Sequence, residues 1–196
     1  MMVPVEYLGA GRITSQPGGR PSRPGGRPSR PAVTVLADAL AEFRGTATEF
    51  LEDLVGEEIY ADKLVQVETT AASPNRLSLE DGHPLTRRVT FLRGRRTSHA
   101  YLYAETLLVT SRLPWMTTRR LETSSDPIGR VIVEQGLTVA RANLAPIPRP
   151  LERPLPKDVL AFIYTREYQI EIGGLPVMEI SEWFLPSLED FLVRQI

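Results

Sequence analysis

Two alternating runs joined by Gly173-Gly174 constrain this chain more than any other stretch. They are Tyr168-Gln-Ile-Glu-Ile172 on one side and Leu175-Pro-Val-Met-Glu-Ile-Ser-Glu-Trp-Phe184 on the other. A glycine pair between such runs predicts a β-hairpin, because glycine reaches the positive φ values that a two-residue turn needs. Strand side chains point alternately to opposite faces. Met178, Ile180, Glu182 and Phe184 therefore share one face, and Glu179, Ser181 and Trp183 the other. A carboxylate in an apolar row must be paired, protonated or aimed into a cavity. A structural ion pair with an arginine, or a strand twist that exposes Glu182, would account for the same residue.

A second hairpin is expected from Leu85-Thr-Arg-Arg-Val-Thr-Phe-Leu92, a turn through Arg93–Arg96, and a return over 100–109. Alternation puts Arg87 with Val89 and Phe91, and Arg88 with Thr90. A guanidinium in register with apolar residues suits bidentate carboxylate recognition, although an arginine at a strand end also snorkels to water. Glu105 on the return strand is a partner for either arginine. Upstream, Leu36, Ala39, Leu40 and Phe43 recur at helical spacing. Thr46 and Glu49 form a capping box before Phe50, Leu51 and Leu54, and Gly56 is the stop. Residues 59–68 alternate like a strand. Asp126 as N-cap and Pro127 as first helical residue predict a short helix ending at Gly136, with unpaired N–H groups near Ile128. Hairpins without regularly spaced helical crossovers give an α+β fold with an antiparallel sheet and flanking short helices.

Composition removes several classes of chemistry. The chain contains no cysteine, so it has no disulfide framework and no thiol nucleophile. Its two histidines, His83 and His99, do not form a metal-ligand spacing, and no G-x-S-x-G elbow or phosphate-binding glycine loop follows a strand. The net charge of −1 offers no general reason to expect nucleic acid. No apolar run is long enough to span a bilayer, and the N-terminus lacks a secretory pattern, so no membrane contact and a cytoplasmic location are expected. Residues 1–31 carry a tandem Pro-Gly-Gly-Arg-Pro-Ser-Arg repeat and are expected to be a disordered tail, leaving one domain over 32–196. Without that tail the chain carries a net charge of −5. Prolines 146, 148, 150, 154 and 156 predict an extended connection.

Taken in order, Arg87-Arg-Val, Ala104-Glu-Thr, Arg112-Leu-Pro, Asp126-Pro-Ile-Gly129 and the run from Gly173 to Pro186 resemble the chorismate pyruvate-lyases. The likeness is closest to the actinobacterial branch, which makes 4-hydroxybenzoate for glycolipids and other secondary metabolites. The resemblance implies an enzyme without metal or organic cofactor that acts on a small molecule, chorismate. It implies that an arginine holds the ring carboxylate. Arg87 fits by alternation, whereas an ungapped alignment from the hairpin selects Arg88. Glu182 matches the family's glutamate at the para oxygen, where a raised pKa would let it donate a proton to the substrate. Ile128 matches the aliphatic residue that packs on the ring, and Met178 is placed with the substrate-binding residues. Ala47 stands where some members carry a bulky residue, which points to a larger cavity, and Glu49, where relatives tend to be basic, is a second departure. Two competing expectations follow: an enzyme for a larger aromatic acid, and a non-catalytic binding module. Repressor effector domains share this fold, but they follow a winged helix-turn-helix that the tail does not resemble.

Overall fold

A computed structural model describes residues 31–144, 156–157 and 159–193. The Pro/Gly/Arg repeat and nearly all of the proline-rich connection lie outside these residues. The chain opens with α1 (Ala32–Glu42) and α2 (Ala47–Val55), then runs through β1 (Ile59–Thr70), β2 (Pro84–Gly94) and β3 (Ala100–Leu108). Next come α3 (Trp115–Thr123), α4 (Ile128–Glu134), β4 (Val139–Asn143), β5 (Tyr164–Ile172), β6 (Leu175–Phe184) and α5 (Glu189–Val193). The strands form one antiparallel sheet in the order β1-β2-β3-β6-β5-β4, so the fold is α+β as expected. No helix among the described residues is long and apolar enough to cross a membrane.

Local sequence explains most of these boundaries. The Thr46 hydroxyl accepts from the Glu49 N–H while the Glu49 carboxylate accepts from the Thr46 N–H, closing the capping box that starts α2. Gly56 ends α2 in the left-handed conformation. Gly173 and Gly174 both have positive φ, as the β5–β6 turn requires. Asp126 does not cap α4; Pro127 occupies the N-cap position, and the Asp126 carboxylate instead binds Arg120 of α3 at 2.9 Å. That arginine lies on a helix the sequence pattern did not announce, and a charge-assisted bond to it outweighs one backbone N–H.

Both faces of the sheet carry buried apolar clusters. Helices cover one face in two blocks. At one end α1, α2 and α5 pack on Ala61, Leu92, Leu102 and Phe184. At the other, Leu121 of α3 and Val131 and Ile132 of α4 pack with Leu108, Tyr168, Ile170, Met178 and Ile180. The opposite face carries Val89, Phe91, Tyr103, Val159 and Leu185 near its centre and a smaller cluster around Leu77, Leu85 and Val109. An apolar neighbour on β2 therefore does not tell which face a residue occupies. Arg87 lies with Val89 and Phe91 on the face away from the helices, and Arg88 lies beneath them.

Candidate active site

Between the two helix-covered blocks the sheet floor is made of small residues. Thr90, Ala104 and Glu182 lie on one cross-strand rung, and Arg88, Thr106 and Ile180 on the next. Short side chains at Thr90, Ala104 and Thr106 leave a pocket of about 600 Å³ of atom-free space, its mouth included. Thr46, Ala47 and Thr48 from the start of α2, and Pro127, Ile128 and Gly129 from the start of α4, form its roof. Val139 and Arg141 of β4 flank it together with Tyr168 and Ile170 of β5.

Arg88 forms one end. It is 1% exposed. Its guanidinium donates to the backbone carbonyls of Leu121 at 2.7 Å and Asp126 at 3.1 Å and to the Gln66 side chain at 3.5 Å, and its Nε has no hydrogen-bond partner among the described residues. No carboxylate forms a salt bridge with it among the described residues, because Asp126's own carboxylate is taken by Arg120. Burial brings the Arg88 guanidinium down to about 10, and the nearby Asp126 charge only partly opposes this. It therefore remains a cation at neutral pH, in a dry wall, with donor capacity unspent.

Glu182 forms the other end. It too is almost fully buried, and both of its oxygens are engaged. Arg166 Nε donates to one at 2.6 Å and the Tyr168 hydroxyl to the other at 2.8 Å. Burial, then the charge of Glu182, pushes the Tyr168 phenol far above its usual range, so it stays a donor. Burial disfavours the Arg166 charge, but Glu182 and Tyr168 more than offset this and hold the guanidinium protonated. Glu182 is thus an acceptor in an ion pair; the expected proton-donating acid is not what this geometry provides. From strand and rung spacings, the Cα atoms of Arg88 and Glu182 are roughly 12 Å apart.

The expectation that Arg87 shares this chamber is corrected. Arg87 lies on the opposite face and pairs with Glu105 at 3.0 Å, whose second oxygen accepts from the Tyr103 hydroxyl at 2.7 Å. Burial, with help from Glu105, raises the Tyr103 phenol. Arg87 and Glu105 line a separate pocket on that face, and the alternation argument failed because the far face carries buried apolar residues as well. Arg88, Glu182, Ile128 and Ala47 do converge on one cavity. Met178 shares the Glu182 face but packs into the core beside Tyr168 and Ile180, away from the cavity lining. Arg141, Arg166 and Tyr168 escaped the sequence reading. The last two do precede Gly173 on the same hairpin, and alternation with Ile170 would have aimed them at the Glu182 face. No group of His, Asp and Glu side chains able to hold a metal ion occurs among the described residues.

Searches of known proteins agree with the resemblance. The chain is 27% identical over 154 residues to a chorismate pyruvate-lyase of Mycobacterium tuberculosis, covering 74% of this chain and 76% of that one. It is 28% identical over 159 residues to a chorismate pyruvate-lyase of Mycobacterium leprae, covering 76% and 73%. No family model matches. Among solved structures, PhnF from Mycobacterium smegmatis aligns with a TM-score of 0.49 at 14% identity, covering 74% of this chain and 66% of that chain.

Proposed function

We propose that this relative of the mycobacterial chorismate pyruvate-lyases binds chorismate in the cavity and eliminates pyruvate, leaving 4-hydroxybenzoate for secondary metabolism. The observation that carries this reading is Arg88, a buried cation with no carboxylate partner among the described residues, facing a buried carboxylate across a floor of small residues. Arg88 would take the ring carboxylate and Glu182 would accept the ring hydroxyl. Ile128 would pack on the ring face. With the ring fixed at both ends, the enolpyruvyl ether lies over the neighbouring ring carbon.

Chorismate supplies its own driving force, since elimination completes an aromatic ring. The hydrogen on the hydroxyl-bearing carbon passes to the enolpyruvyl methylene as the adjacent carbon–oxygen ether bond opens. The ring gains its third double bond and pyruvate leaves as the keto acid. The atoms balance without a co-reactant, so positioning, water exclusion and electrostatics are the work left to the protein.

The test is pyruvate release from chorismate by the purified chain, with Arg88→Ala and Arg87→Ala as a pair. Truncating a buried charge contact costs about 2–5 kcal/mol, so Arg88→Ala should lose at least thirtyfold in kcat/KM. Arg87→Ala should stay near the parent. A parent that releases no pyruvate refutes the reading. Ala47 supports a second reading: a small residue on the cavity wall leaves room for a larger chorismate-derived acid, which would then be turned over faster than chorismate. Ligand binding without turnover of either would mark a binding module.

A further inference from the structure

We infer that Arg141 is a second carboxylate site, which holds the side-chain acid of a dianionic ligand at the mouth of the cavity. The inference rests on the proposed function and adds to it the means by which substrate is told from product.

A charge count motivates it. The charged side chains lining the cavity are Arg88, Arg141 and Glu182. Glu182 is neutralised by Arg166 behind it. Two guanidinium groups remain without a carboxylate partner among the described residues, and they sit at different depths. Arg88 is buried at one end, whereas Arg141 is exposed at the rim. Arg141 lies over the Tyr168 ring at 4.8 Å, and the Tyr168 hydroxyl reaches Glu182, so this second cation stands beside the Glu182 end. Chorismate carries its second carboxylate on the ether next to the ring hydroxyl, which is the same end. The product 4-hydroxybenzoate has lost that group.

The polar contact of Arg141 is weak. One nitrogen donates to the Gly45 carbonyl at 3.3 Å, just ahead of the Thr46 cap. That bond and the aromatic face leave most of the guanidinium's five N–H donors for a ligand. An arginine that belongs to β4 and reaches the α2 entrance through one long hydrogen bond is placed to clasp an entering acid and release a departing one.

The experiment compares the full chain with Arg141→Gln and Arg141→Lys. Calorimetry reads the binding of 4-hydroxybenzoate and of a 4-hydroxybenzoate bearing a carboxymethyl ether on the carbon next to the hydroxyl. The parent should prefer the dianion by about tenfold or more, Arg141→Gln should lose that preference while binding the monoanion within about twofold, and Arg141→Lys should keep part of it. Equal weakening of both ligands would overturn the inference, since Arg141 would then only prop Tyr168 and the capping loop. An unchanged preference in Arg141→Gln would overturn it too. Chorismate turnover by the parent, measured alongside, judges the lyase reading separately: a preference without pyruvate release sinks the lyase and keeps the site, and release without a preference does the reverse.

Discussion

Arg88 and Glu182 are both buried charges, and the difference in how they are compensated defines the site. Holding Arg88 at about 10 against an ordinary 12.5 corresponds to a penalty on the order of 3 kcal/mol at all pH values below 10, because the folded state binds that proton more weakly than the unfolded chain. An arriving carboxylate removes this penalty. Glu182 is already satisfied, and in the proposed reaction it presents a fixed acceptor, which would make Tyr168 a positioning residue. Tyr168→Phe deletes one of the two donors to Glu182 and leaves Arg166 in place. The expected result is a roughly tenfold lower kcat with little change in KM, the size of one hydrogen bond to a charged group. Steady-state kinetics separate the two, and an unchanged kcat would mean that Arg166 alone fixes the carboxylate. Glu182 was legible from sequence because a single acid interrupts an apolar row. The choice between Arg87 and Arg88 was not, because alternation assigns a face only when the other face is polar, and here Val89, Phe91 and Tyr103 bury it.

Two helix starts meet over the cavity, and their contact is close. A Cβ at Gly129, the first-turn glycine of α4, would fall 2.6 Å from Cβ of Thr46, the residue that caps α2. Side chains essentially never approach so near, and Thr46 cannot yield without opening its capping box. Gly129→Ala should therefore destabilise the fold by about 1–3 kcal/mol, read as a lower urea midpoint. Adding Thr46→Gly, which costs only a few tenths as a cap, should recover part of that loss. Simple additivity of the two changes would show that the helices do not meet at this point. The glycine of Asp126-Pro-Ile-Gly129 thus has a packing reason that its sequence context could not reveal. Capping boxes and glycine turns were legible because they are local. By contrast, β4 (Val-Ala-Arg-Ala-Asn) lacks strand propensity and exists because β5 offers it an edge. The short α3 buries only Thr117 and Leu121, too little for a helical stripe.

At the scale of the molecule, the cavity is a seam. The α1–α2–α5 block and the α3–α4 block pack on different parts of one sheet face, and the pocket separates them, with walls from α2, α4, β4 and the sheet. A ligand filling it would join elements that otherwise touch mainly at the α2–α4 contact, and an acid would bring a carboxylate to a guanidinium that has none among the described residues. Stability should therefore respond to ligand more than pocket size alone suggests. If the proposed function holds, 4-hydroxybenzoate at a hundredfold excess over its Kd should stabilise by about 2.7 kcal/mol, which for a domain of this size would raise Tm by roughly 5–11 °C. The uncharged amide, 4-hydroxybenzamide, fills the same volume without an anion for Arg88, so at equal concentration its shift should be far smaller. Arg88→Met should abolish the response to the acid, and Arg87→Met, in the ion pair of the far face, should keep it in full. Differential scanning fluorimetry on these three proteins with both ligands decides the matter. Equal shifts from acid and amide would show that ring packing alone holds the seam together, and loss of the shift in Arg87→Met would move the anion site to the other side of the sheet.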